Sequence, residues 1–276
     1  MGILDGKAAI ITGSGQGIGR ATAELFVAQG AKVMINDLDA DLAEQTAKEI
    51  GGQTAVFAAD LTKPGAPDEL VAAAHEEFGE VDAVVNNAGY TWDGVVHKMS
   101  DEQFQAMLEI HTVVPFRVIR ALAPHWREAA KVERDEGTER FRKIVNISST
   151  SGVFGNAGQA NYAAGKAGIV GVTKTIAKEW GQFKINSNAV AYGFVETRLT
   201  QEKEEGQTFI EPGGKEVALG IPAQRRSMAP TLIPLGRGAQ PHEAAGPVAF
   251  LCSSLADFIN GQVIMVTGGG FGGMSS

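Results

Sequence analysis

Cysteine is nearly absent. Cys252 is the only one in 276 residues, so no intrachain disulfide can form, and the expected setting is the reducing cytoplasm. Embedded in the apolar run Val248–Leu251, that thiol reads as packed core rather than as a nucleophile. Long hydrophobic runs are missing too. No stretch approaches the ~20 apolar residues of a membrane-spanning helix, and no basic segment leads into an apolar run as in a signal peptide. Excess positive charge is also lacking. A formal charge of −8 argues against nonspecific attachment to nucleic acid or an anionic membrane, and no basic–aromatic stripe suggests RNA or DNA. His75, His97, His125 and His242 lack metal-ligand spacing, and no Ser-His-Asp arrangement can be inferred, so no metal site is expected. Asn146-Ile-Ser148 matches a glycosylation acceptor pattern, but it falls in a segment expected to be a buried strand.

Glycine, by contrast, is abundant at 35 residues. Short apolar runs alternate with longer helical patterns along the whole chain. Lys7–Thr12, Lys32–Asn36, Thr54–Ala58, Val81–Val85, Lys143–Ile147, Lys184–Val190 and Gln262–Val266 read as strands. Several are apolar throughout, as expected where both faces of a sheet are covered. Ile18–Gln29, closed by Gly30, and Asp39–Ile50, closed by Gly51-Gly52, read as helices, with glycine supplying the terminating left-handed residue. The alternation predicts an α/β fold: one doubly wound (Rossmann) domain over residues 1–276, its seven-stranded, mainly parallel sheet covered by helices on both faces. Two insertions interrupt it. Arg127–Lys143, with six basic and five acidic residues, reads as a solvated helix extension and loop. Arg198–Gly238, punctuated by glycine and proline, reads as a lid or mobile segment.

Thr12-Gly13-Ser14-Gly15-Gln16-Gly17-Ile18-Gly19 follows the first expected strand and opens the first helix. Backbone without side chains can approach a pyrophosphate closely, and a helix N-terminus offers free N–H groups and a positive dipole end. Gly13, Gly17 and Gly19 are spaced G-x-x-x-G-x-G rather than G-x-G-x-x-G. Asp37 ends the second strand, where a carboxylate accepts from both adenosine ribose hydroxyls and repels a 2′-phosphate; Gln16 adds no positive charge to the turn, so NAD is favoured over NADP. The competing reading of Asp37 is an exposed helix-capping acid, since Asp39 and Asp41 follow.

Tyr162 and Lys166, four apart in the helical segment Ala160–Ala177, share a face. A nearby cation stabilises a phenolate and lowers its pKa from ~10 by roughly 1–3 units, towards use as an acid–base group at neutral pH. Asn146–Gly152 ends the fifth strand with a run of hydroxyls, and the carboxyl ends of parallel strands face the ligand crevice.

Together these residues resemble the short-chain dehydrogenase/reductase family. Its ordered motifs appear as Thr12–Gly19, Asn86-Asn87-Ala88-Gly89, Ser149, Tyr162-Ala-Ala-Gly-Lys166 and Val266-Thr267-Gly268-Gly269, spanning essentially the whole chain. Val145–Gly171 is most similar to 3-oxoacyl-thioester reductases and hydroxyacyl-CoA dehydrogenases. The resemblance implies an NAD-dependent enzyme interconverting a ketone and a secondary alcohol, with Tyr162 as general acid/base. It makes Ser149 the catalytic serine, thirteen residues before Tyr162, with Ser148, Thr150 and Ser151 as bystanders. Lys166 would tune Tyr162 and hold the nicotinamide ribose. Asp60 and Leu61 would line the adenine pocket, Asn87, Ala88 and Gly89 would lie along the cofactor, and Val195 and Thr197 would stand near carboxamide and phosphates.

Two departures follow from the same resemblance. His111 aligns with an Asn that helps organise a water-linked proton relay to the lysine; it either joins that relay, where a histidine could also titrate, or simply packs in its helix. Tyr192 replaces the proline of a Pro-Gly pair and either reshapes the nicotinamide pocket or fills space. Leu199, Phe209, Ile210, Val217, Leu219, Ile221, Met228, Leu232 and Ile233 could form an apolar lid over an acyl chain, and Arg225-Arg226 could meet a phosphate of CoA or a carrier protein. A homotetramer with Glu243–Val266 at an interface is the family expectation. The alternative function is a non-catalytic NAD-binding scaffold of the same fold.

Overall fold

The computed structural model describes residues 2–200, 208–210, 214, 216–218, 227 and 231–270. Its strands are β1 (Ala8–Thr12), β2 (Lys32–Asp37), β3 (Thr54–Ala58), β4 (Ala83–Asn86), β5 (Arg142–Ser149), β6 (Ile185–Tyr192), β7 (Thr208–Ile210), β8 (Glu216–Ala218) and β9 (Val263–Val266). Seven of them form one sheet in the order β3-β2-β1-β4-β5-β6-β9, and every pairing in it is parallel. The strand order reverses between β1 and β4, which opens a crevice beyond their carboxyl ends.

The described helices are α1 (Gly17–Ala28), α2 (Ala40–Ile50), α3 (Ala66–Phe78), α4 (Asp101–Leu108), α5 (Val114–Asp135), α6 (Thr150–Phe154), α7 (Ala160–Trp180) and α8 (Pro241–Cys252). Their ends follow local chemistry. Asp39 accepts from Leu42 N to start α2, and Gly51 at φ 66 ends it. Strand alternation sends side chains to two cores. Ala9, Ile11 and Val85 meet Phe26, Ala43 and Val248 on the α1/α2/α8 face. Ile10 and Val84 meet Leu70, Met107, Val118 and Ile176 on the α3/α4/α5/α7 face. Cys252 is buried in the first core, where burial raises its thiol to about 12.

Three expectations gain detail. Arg127–Lys143 is helical only to Asp135, and its arginines are not simply solvated. Arg142 is 2% exposed and forks onto Glu133 at 2.7 and 2.9 Å, while Arg140 reaches the buried Asp82 at 2.7 Å. The arginine stems are long enough to fold back under the helix and satisfy carboxylates there. The 198–238 insertion contains an antiparallel pair, β7 with β8. Tyr192 fills space: its ring lies in the first core and its hydroxyl donates to the Ala244 carbonyl at 2.5 Å, away from the crevice. Of the expected lid, Val217 and Ile233 are buried and Leu232 is exposed. Leu219, Ile221, Met228, Arg225 and Arg226, and the side chains of Leu199, Phe209 and Ile210, lie outside the described residues.

A run of polar pairs crosses the second core. Asn86 Nδ2 donates to Asn146 Oδ1 at 2.8 Å, Asn146 Nδ2 donates to Thr173 Oγ1 at 2.9 Å, and Thr173 Oγ1 donates to the Ile169 carbonyl at 2.8 Å. Asn146 is fully buried, and this pairing of β4, β5 and α7 is its use.

Candidate active site

The turn between β1 and α1 is built for close approach. Gly13 and Gly17 adopt φ 62 and 60, and a side chain on Gly13 would come within 2.7 Å of Ala88 Cα. Asn87 locks that contact, its Nδ2 donating to the carbonyls of Thr12 at 3.0 Å and Gly13 at 2.8 Å. The backbone N–H groups of Asn87 and Ala88 both donate to Thr12 Oγ1 at 3.0 Å. No side chain caps the start of α1, which leaves its N–H groups for a ligand. Beyond this turn lies a groove lined by Gly13, Gln16, Gly17, Ile18, Asp37, Asp60, Leu61, Asn87, Ala88, Gly89 and Thr197. Its length of exposed glycine backbone and its acid at the β2 end fit an extended dinucleotide.

Asp37 is fixed there by backbone, its Oδ2 accepting from Gly15 N at 2.9 Å. It is therefore not a cap of α2; Asp39 is. Four expected cofactor residues, Gly19, Val195, Tyr162 and Lys166, do not line the groove. A side chain on Gly19 would come within 2.2 Å of the Gly13 carbonyl, so this glycine serves turn packing. Val195 is 3% exposed and belongs to the first core. Leu38, Tyr90 and Arg198 line the groove without having been expected.

Ser149 and Tyr162 come together from the end of β5 and the first turn of α7, close enough for the serine to act on the phenol. The neighbouring hydroxyls face elsewhere: Ser148 Oγ donates to the Lys166 carbonyl at 2.8 Å, and Ser151 Oγ to Gln159 Oε1 at 2.9 Å. Burial pushes the Tyr162 phenol up to about 12, against a smaller lowering from Ser149 and a raising by the charge of Asp93. The expected lowering by Lys166 is absent in the free protein. Its Nζ lies 5.7 Å from the Tyr162 ring centroid and donates to the Ile147 carbonyl at 2.7 Å, and burial brings Lys166 itself down to about 7. An amine held at a carbonyl and partly stripped of charge by its surroundings does little for a phenolate.

His111 sits in a π-helical turn, Glu109–Val113, between α4 and α5. It is 3% exposed, and its Nε2 lies 2.8 Å from the Tyr90 carbonyl. Burial first, and the charge of Lys166 second, hold it well below the ordinary histidine range. The imidazole is therefore neutral, with its proton on Nε2 and a bare, unpartnered Nδ1 in the interior. The ring stands edge-on to Tyr162, centroids 4.9 Å apart, and lies against Gly89 on the groove floor.

A family model described as short chain dehydrogenase matches residues 7–208. The chain belongs to the short-chain dehydrogenase family. It is 35% identical over 269 residues to a 3-oxoacyl-(acyl-carrier-protein) reductase of Thermotoga maritima, covering 96% of this chain and 98% of that one. A Brucella melitensis short-chain dehydrogenase/reductase described as a glucose/ribitol dehydrogenase superposes with a TM-score of 0.81 at 29% identity, covering 96% of each chain. A 3-ketoacyl-(acyl-carrier-protein) reductase from Brucella melitensis, solved in complex with NADH, superposes with a TM-score of 0.80 at 33% identity, covering 96% and 98%.

As a short-chain dehydrogenase the chain is an oxidoreductase, and its departures from the family pattern have structural consequences. Against His111, Gly89 is obligatory: a side chain there would meet the imidazole Cε1 at 2.3 Å and Nδ1 at 2.7 Å. Gly89→Ala is expected to lower stability by about 1–3 kcal/mol, read as a fall in the denaturation midpoint, because the wedged ring cannot move without leaving the Tyr90 carbonyl. An unchanged midpoint would mean that the ring is free to turn. Sequence reasoning missed Tyr90, whose contribution is a backbone carbonyl and carries no side-chain signal. It also passed over Gln159 and Asp93, although Gln159 stands three residues before Tyr162.

Proposed function

We propose that this short-chain dehydrogenase reduces a ketone to a secondary alcohol, and in reverse oxidises the alcohol, using NAD(H). Tyr162 is the general acid/base, Ser149 binds the substrate oxygen beside it, and Lys166 positions this end of the cofactor. The observation that carries the reading is the Ser149–Tyr162 hydroxyl pair, connected through the His111 ring to Gly89 at the floor of the groove. Two hydroxyls meeting at one point are what a carbonyl oxygen needs: one donor to orient it and one to give a proton. With its phenol at about 12, Tyr162 is protonated at neutral pH, the state required to donate during reduction. Bound nicotinamide supplies the hydride. His111 stands beside this pair as a neutral imidazole with one accepting nitrogen, and we assign it a place in the proton path that includes Lys166.

Asp37 supports NAD over NADP, since its carboxylate is held in the groove by Gly15. The names of the reductases the chain resembles support a 3-oxoacyl thioester as substrate, and the exposed Val153 and Phe154 at the end of α6, just beyond Ser149, offer apolar surface for its acyl part. Among the described residues no helix is long and apolar enough to cross a membrane. Leu255 and Phe258 are exposed within Glu243–Val266, which supports an association between copies there. NADH oxidation with acetoacetyl-CoA, repeated with NADPH, tests the whole reading: turnover favouring NADH is expected. NADH binding without turnover would withdraw the thioester and send the search to other ketones, secondary alcohols and sterols.

A further inference from the structure

A buried amide next to the acid–base residue has both its oxygen and its nitrogen committed. Helix α7 begins without help from the residue before it, since the Gln159 side chain makes no capping bond to the helix. The first N–H groups of a helix lack partners within it. Asn161, in the first turn and 0% exposed, takes up the one that belongs to Tyr162. The Tyr162 N–H donates to Asn161 Oδ1 at 2.8 Å. The two amide hydrogens of Asn161 go elsewhere. Its Nδ2 donates to the Trp92 carbonyl at 2.9 Å, in the segment leaving β4, and to the Gln103 carbonyl at 3.0 Å, in α4. Gln103 is itself held, closing a capping box with Ser100 at the start of α4. Gly94 N donates to the Gly158 carbonyl at 2.8 Å, which ties the segment leaving β4 to the approach of α7 a second time. Three parts of the chain are thus joined at one side chain, and the residue they hold between them is Tyr162.

Proton transfer needs a phenol that meets the substrate oxygen in one place. Helix ends fray, and Tyr162 stands in the first turn of α7. A misplacement of ~1 Å at a reacting group costs up to about 100-fold in rate. We propose that Asn161 is a positioning residue for the reaction: by binding the Tyr162 N–H on one side and the Trp92 and Gln103 carbonyls on the other, it fixes the backbone of Tyr162 and with it the place of the phenol. The core pairing at Thr173 settles how α7 lies along the sheet, whereas Asn161 keeps its first turn closed. Being fully buried, Asn161 touches no ligand and acts through Tyr162 alone. The inference rests on the reading of Tyr162 as the general acid/base.

The experiment joins a double-mutant cycle to a spectroscopic readout, on the full chain. Turnover of acetoacetyl-CoA is measured for Asn161→Ala, for Tyr162→Phe and for the two combined. Asn161→Ala alone should lower turnover about 10–100-fold while the KM for cofactor stays nearly the same. Added to Tyr162→Phe it should cost less than about twofold, because a misplaced ring without its hydroxyl has nothing further to lose. Asn161→Ser keeps a hydroxyl at the site, should fall between wild type and the alanine variant, and serves where that variant fails to fold. The place of the ring is read separately, by fluorine NMR of protein labelled with 3-fluorotyrosine. The chain has 3 tyrosines, and the line of Tyr162 is the one absent from Tyr162→Phe. That line should shift and broaden in both Asn161 variants, while the line of Tyr192, held by the Ala244 carbonyl in the other core, should stay where it is. With Tyr162→Phe inactive, an unmoved Tyr162 line, undiminished turnover in both variants, or losses that multiply across the cycle each overturns the proposal. With Tyr162→Phe still active, the acid–base reading fails, and the Tyr162 line alone decides whether Asn161 places the ring.

Discussion

Tyr162→Phe is expected to lower turnover at least ~100-fold while leaving the fold intact. The substitution removes one oxygen and retains the ring, so the edge contact with His111 and the packing of Tyr162 against the second core persist. What is lost is the hydroxyl that meets Ser149 and the proton it carries at neutral pH. The loss should appear in the rate at saturating ketone rather than in cofactor affinity, because the groove residues are untouched. A thermal melt of the variant checks that the fold survives. Near-normal turnover would sink the assignment of Tyr162 and, with it, the mechanism. The free protein also shows why the phenol is a better acid than base before ligands arrive. Burial raises its pKa to about 12, and the Lys166 ammonium is engaged at the Ile147 carbonyl.

Asp37→Asn is expected to shift the ratio of kcat/KM for NADPH over NADH upward about 10–100-fold. A 2′-phosphate placed against a fixed carboxylate meets like charge at contact distance, and the amide removes that repulsion. Asparagine keeps an oxygen for the Gly15 N–H, so the glycine turn should hold its shape. A wild-type enzyme that already prefers NADPH, or a variant whose preference does not move, would refute the cofactor reading. The two experiments are independent, since Asp37 and Tyr162 sit at opposite ends of the proposed cofactor path.

The fold was legible because its signals are local and repeated. Apolar strands such as Ala8–Thr12 and Ala83–Asn86 are buried on both faces, and helix boundaries such as those at Asp39 and Gly51 have a nearby chemical cause. The glycine turn and the Ser149–Tyr162 meeting were legible for the same reason: both lie where strands of a parallel sheet end. Other features depend on contacts between residues far apart in sequence. Nothing local says that Arg142 turns inward to Glu133, that Tyr192 points into the first core, or that Asp93 is gripped by Gln159. The setting of Tyr162 in the free protein was hidden for a different reason. Helical spacing put Lys166 on the right face, but the Ile147 carbonyl, presented by a neighbouring strand, competes for its ammonium. Gly19 and Val195 are packed against scaffold, which their place in the motif does not announce.

The polar run from Asn86 through Asn146 to Thr173 acts as an index mark for α7. An apolar interface between a helix and a sheet tolerates sliding, since one aliphatic contact resembles the next. A helix displaced by one residue moves ~1.5 Å along its axis and turns its side chains by about a quarter-revolution. Here such a slip would strand the amide of Asn146 in a dry interior, a penalty that no neighbouring alignment of α7 relieves. The height and heading of Tyr162 at the far end of the helix are therefore set in the middle of the core, eleven residues away at Thr173. Accuracy at the reaction centre is in this sense a property of a buried threonine and two asparagines that never touch a substrate.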